Sequence, residues 1–191
     1  MPRLQGYRER LHQPLWDSLI RTTGNPQNPI LNGAKLFGNA NVGTLGLTTM
    51  NAAGQLPADP TVVCLAIRCW LYFDGTNKRA NYLNTAAQLY WTLIVGNKPM
   101  FQAPCWYHPA GGGVWGFDST SSIMTLGTPE QPSILKLARP IIIPVRQGFL
   151  AQADWFPIGS VDGLAGINSG ASDDQKVILL MLDGLMTRDV Q

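Results

Sequence analysis

Residues 105–117 read CWYHPAGGGVWGF: Cys105 stands three positions before His108, three consecutive glycines follow, and Trp106, Tyr107, Trp115 and Phe117 surround them. A thiol beside an imidazole is the raw material of a nucleophile and its base. Such partners usually come from separate elements, however, and the other histidine, His12, lies far away in the chain. Burial between Trp106 and Tyr107 would raise the thiol pKa, not lower it. One cysteine and one histidine are too few ligands for a metal. Glycines 111–113 are followed by Val114 and Trp115, without the lysine and hydroxyl of a phosphate loop and without a helical period beyond. What remains is conformational. The glycines permit close backbone approach, Pro104 and Pro109 stiffen the loop, and flat apolar side chains are presented at low entropic cost. Trp106, Tyr107, Trp115 and Phe117 are therefore expected to be contact residues. A carbohydrate-stacking platform would use aromatics too, but only Asp118 is near to supply an acid.

The rest of the chain offers little more for catalysis. There are ten aspartates and two glutamates, and the adjacent Asp173 and Asp174 in a Gly/Ser loop would splay apart. Asp74 and Asp183 each precede glycine, a turn signature. No catalytic constellation, metal site or cofactor is expected. The three cysteines have no CxxC spacing, which argues against a disulfide framework or zinc knuckle and for reduced thiols in a cytoplasmic synthesis compartment. On a regular strand Cys64 and Cys69 would point to opposite faces, roughly 17 Å apart.

These side chains must be positioned by strands. TVVCLAIRCWLYF (61–73) alternates Val63, Leu65, Ile67, Cys69, Leu71 and Phe73 on a predicted core face against Ala66, Arg68, Trp70 and Tyr72. AQLYWTLIVG alternates Leu89, Trp91, Leu93 and Val95 against Gln88, Tyr90 and Thr92, before a GNKP turn. TLGLTTM, ILKLA, PIIIPV, FLAQADWF, QKVILLML and GLMTRDV supply further short strands; Pro140 and Pro144 make the isoleucine run short, bulged or an edge. Seven to nine strands with Gly/Pro turns predict an all-β antiparallel sandwich or barrel over residues 43–191. Residues 1–42 read as an arm and linker. Pro14, Asp17, Arg21 and Gly24 frame a short helix bearing Leu15, Trp16, Leu19 and Ile20, too short to stand alone.

Of 191 residues only 14% are charged, against about a quarter in typical soluble domains, which suggests that part of the surface is covered in an assembly. The net charge of +2 resides in residues 1–21, where Arg3, Arg8, Arg10 and Arg21 face Glu9 and Asp17. The remainder is balanced, so no basic stripe marks a nucleic-acid reader. The opening residues lack the apolar core of a signal peptide, and no apolar run is long enough for a membrane span.

The segments TTMNAAGQLPAD, LYWTLIVGNKPMFQAPCWYHPAGGG, LKLARPIIIPVRQGF and LDGLMTRDVQ resemble virion structural proteins of tailed bacteriophages and related viruses, most closely the jelly-roll proteins that sit on or in the capsid. The resemblance spans about residues 44–191. It implies a single eight-stranded jelly roll, a virion location, and often a trimer that cements capsomers. Decoration or cement is favoured over the primary shell protein, with a carbohydrate-binding receptor head as the other alternative. The partners would be other copies of the chain and the major capsid protein, with neither membrane nor specific nucleic acid involved. Arg3, Arg8, Arg10, Leu15, Trp16, Leu19 and Ile20 would grip a neighbour through the arm. Trp70 and Tyr72, on the less buried strand face, would mediate self-association.

Overall fold

Among the described residues the chain forms nine strands: β1 (Arg8–His12), β2 (Leu15–Arg21), β3 (Ala34–Leu36), β4 (Thr61–Phe73), β5 (Leu89–Val95), β6 (Lys98–Pro104), β7 (Lys136–Ile143), β8 (Phe149–Trp155) and β9 (Lys176–Asp189). They belong to a computed structural model that describes residues 8–21, 33–38, 48–56, 60–73, 86–108, 136–155 and 176–189. Sheet A runs β1-β9-β4-β7, with β2 also pairing along β9; sheet B runs β3-β8-β5-β6. Every pairing is antiparallel.

The two sheets close a sandwich over one core. From sheet A come Leu15, Val62, Cys64, Ile67, Cys69, Leu71, Ile143, Ile178, Leu180 and Leu182; from sheet B come Leu36, Leu89, Trp91, Leu93, Ala151 and Ala153. In β5 the expected alternation holds, with Leu89, Trp91 and Leu93 fully buried. The isoleucine run lies in β7, an edge strand whose register against β4 is broken between Cys64 and Ala66, as its prolines require. Sequence reasoning overlooked β6 because Pro99 and Pro104 disfavour a strand. The sheet tolerates them because β6 is also an edge.

Two expectations need correction. The first is the helical arm. Leu15–Arg21 is not a helix but a strand, paired residue for residue with β9 from Leu182 to Lys176. Spacing of Leu15 and Leu19 fits either period. A seven-residue helix gains few internal hydrogen bonds, whereas β9 offers a full ladder. Residues 8–21 therefore belong to the sandwich. Leu15 is a core residue, and the buried Asp17 carboxylate accepts the backbone N–H groups of Ser18 (3.0 Å) and Phe37 (2.5 Å). Phe37 sits in the left-handed region at φ 63°, with its ring 5.5 Å from that of Phe149. Asp17 thus ties β2 to the chain leaving β3 and helps hold a conformation costly for a bulky residue.

The second correction concerns β4. A bulge between Cys64 and Ala66 inserts Leu65 as an extra residue opposite β9, where Cys64 pairs with Gly184 and Ala66 with Asp183. The inward set is therefore Val62 and Cys64 before the bulge and Ile67, Cys69 and Leu71 after it, while Leu65 is exposed. Cys64 and Cys69 consequently face the same core. Asp183-Gly184 is not a turn but lies within the 14-residue β9. A methyl group on Gly184 would overlap the Val63 carbonyl oxygen and stand 2.9 Å from its carbon. Glycine is there because the bulged backbone approaches too closely for a side chain.

Candidate interaction surface

The bulge determines what faces outward on sheet A. Beyond it, Arg68, Trp70 and Tyr72 of β4 pair with Met181, Leu179 and Val177 of β9, and Trp16 of β2 pairs with Met181 from the other side. Opposed residues share a face, so these side chains form one continuous outer surface. Trp70 and Tyr72 stack at 5.7 Å with ring planes 16° apart. Arg68, Trp70, Leu179 and Met181 line an open concavity of about 310 Å³. On the other side of the bulge the same face carries Val63, Leu185 and Ile142, the last 55% exposed.

A polar cluster interrupts this apolar face. The Asp183 carboxylate, largely buried beside the bulge, accepts from the Arg68 guanidinium and, at 2.7 Å, meets Nε2 of the exposed His12. A carboxylate withdrawn from water needs such partners, and removing one leaves the other charge uncompensated. Sequence reasoning missed Asp183, Arg68 and His12. The available signal was the unbroken alternation of Leu180, Leu182 and Met186 across the Asp-Gly pair.

The Cys105–His108 stretch takes a different form from a nucleophile site. After β6 the chain makes one 3-10 turn, η1 (Cys105–Tyr107), which points Cys105 and His108 inward and leaves Trp106 62% and Tyr107 49% exposed. The Cys105 thiol donates to Cys69 Sγ at 3.2 Å; that bond, together with burial, raises its pKa well above the usual thiol range. His108 is completely buried, 5.8 Å from the Phe101 ring, and burial lowers its pKa to about 4. Neither ring nitrogen has a partner among the described residues. Thiol and imidazole are both held neutral, as core side chains are. Trp106 and Tyr107 pack edge to face at 6.0 Å and project from the end of sheet B.

The predicted contact residues thus divide. Trp70, Tyr72 and the half-buried Trp16 lie on the outer face of sheet A, while Trp106 and Tyr107 form a separate projection. Leu15 is in the core with Leu19 packed against it, and Ile20 continues β2. Arg8 and Arg10 are exposed on β1; Arg3, Trp115 and Phe117 lie outside the described residues. Among the described residues no group of three or more His, Cys, Asp or Glu could hold a metal, and no helix is long and apolar enough to cross a membrane. Comparison with protein-family models, curated proteins and solved structures gave no match to this chain.

Proposed function

We propose that this chain is a non-enzymatic virion structural protein, a jelly-roll subunit that forms a homotrimer and cements or decorates the capsid of a tailed bacteriophage or related virus. The observation that carries the reading is the outer face of sheet A, where stacked Trp70 and Tyr72 adjoin Leu179 and Met181 in an aqueous-facing position. Exposed aromatic clusters of this kind are what a subunit contact uses as anchors. The low charge of the whole chain agrees with a surface covered in an assembly.

Strand order supports the finer fold. From β2 onward the strands nest first with last: β2 with β9, β3 with β8, β4 with β7 and β5 with β6. Nested pairing divided between two four-stranded layers is the pattern of a jelly roll. The sequence resemblance to capsid-associated jelly rolls points the same way.

A carbohydrate-recognition head is the second reading. It is favoured by the open concavity lined by Arg68, Trp70, Leu179 and Met181, which sets an aromatic ring beside a guanidinium. Imaging of virus particles assembled with and without the protein separates the two. The cement reading expects three-fold density bridging capsomers that disappears without the protein. A head mounted only on a tail or fibre, together with binding on a glycan array, would replace it.

A further inference from the structure

Cys69 lies on the core face of β4 and Cys105 at the start of η1, so one sulfur belongs to each side of the sandwich. Their Sγ atoms are 3.2 Å apart and both residues are buried. That separation exceeds a disulfide bond, about 2.05 Å, by little more than 1 Å. The backbone holds the two positions together independently of the sulfurs. The Cys69 N–H donates to the His108 carbonyl at 2.8 Å, and the His108 N–H donates to the Cys105 carbonyl at 3.3 Å. Closing the last ångström therefore needs side-chain adjustment, with no rearrangement of strands. The third cysteine is engaged differently: Cys64 Sγ donates to the Ala66 carbonyl at 3.3 Å inside the bulge.

We propose that Cys69 and Cys105 are a redox site, a dithiol that closes to an intramolecular disulfide stapling β4 of sheet A to the end of β6 in sheet B. The co-reactant is a small-molecule disulfide such as oxidised glutathione. Cys105 is the first to react, since its turn lies at the sandwich end and carries the exposed Trp106 and Tyr107. Its thiolate attacks one sulfur of the small disulfide, forming a mixed disulfide and expelling one small thiolate. The Cys69 thiolate then attacks Cys105 Sγ and expels the second. Two protein thiols lose two electrons in total, the small disulfide gains both, and the two protons end on the released thiols. Burial and the raised Cys105 pKa make the reaction slow in the closed fold. In a reducing compartment the pair remains a dithiol; in an oxidising one it closes. The inference does not depend on the proposed virion role.

The test is to incubate the purified full-length protein with excess oxidised glutathione at pH 8.5, alone and in a urea concentration below the unfolding transition. The titratable thiol count should fall from three to one, with the mass 2 Da lower and peptide mapping joining Cys69 to Cys105. The melting temperature should rise by on the order of 10 °C and return on adding dithiothreitol. Cys64→Ser should still close, whereas Cys69→Ser and Cys105→Ser should retain open thiols and show no oxidant-dependent shift. Three thiols persisting in both conditions, a stable glutathione adduct without closure, or a bond involving Cys64 or a second chain would overturn the proposal.

Discussion

The outer faces of the two antiparallel sheets differ in chemistry, although sheet B also sets Ile94 opposite Leu150 on its outer side. On sheet B, Thr92 pairs with Gln152 and Gln102, and Tyr90 with Asp154. Gln152 Nε2 donates to both Asp154 oxygens at 3.1 and 3.0 Å, and Gln102 reaches Thr92 at 3.5 Å. These side chains hydrogen-bond to one another across the face. On sheet A the equivalent positions hold Trp70, Tyr72, Leu179 and Met181 beside the Asp183–Arg68–His12 cluster. An antiparallel sandwich needs only its inner faces to be apolar, so the second apolar face of sheet A is not required by folding. The proposed subunit contact on sheet A rests on this difference.

The comparison breaks most completely if sheet A loses an edge. Deleting residues 1–21 removes β1 and β2, exposes the length of β9 and takes Leu15 from the core. The truncated chain should fail to give a cooperative melting transition. A folded, stable product would restore the separate arm that the sequence suggested. Gly184→Ala comes next: its methyl group must displace the Val63 carbonyl, so a loss of about 4 kcal/mol or more is expected in urea unfolding. An alanine of similar bulk placed at the exposed Asn97 turn should cost far less.

An acid titration isolates the core between the sheets. His108 has its pKa lowered to about 4 from an ordinary 6.5, so between those values the unfolded chain holds more protons than the folded one. Stability contributed by the neutral ring is fully present above pH 6.5 and is lost as pH falls to 4, by about 3 kcal/mol in total. His108→Leu should remove that part of the slope while retaining stability at pH 7. An unchanged slope would show that other groups dominate. Asp183→Asn should cost about 2 kcal/mol at neutral pH by leaving Arg68 partly uncompensated, whereas Asp154→Asn on sheet B should cost under about 0.5 kcal/mol.

Much of this arrangement was legible from residue order. The 61–73, 89–95 and 149–155 strands follow from period-two alternation, and so does the outward placement of Trp70 and Tyr72. The bulge at Leu65 was not legible, because an inserted residue leaves composition unchanged and declares itself only opposite Gly184. The same hidden insertion reversed the assignment of Val63 and Leu65 and obscured the shared face of Cys64 and Cys69. For residues 15–21, two periods fit one short apolar pattern, and only the partner strand β9 decides between them. The proximity of Cys69 and Cys105 depends on how one sheet lies over the other, which local sequence does not encode.

The claim that sheet A is a contact face is tested most directly by sedimentation equilibrium at about 20 µM, comparing the native chain with Trp70→Ala, Tyr72→Ala and the sheet B control Tyr90→Ala. The native protein and the control should sediment as trimers. Each sheet A variant should shift toward monomer by about 2 kcal/mol of association free energy, with its melting temperature at low concentration little changed. A monomeric native protein, or trimers that persist when Trp70 and Tyr72 are both replaced, would contradict the account.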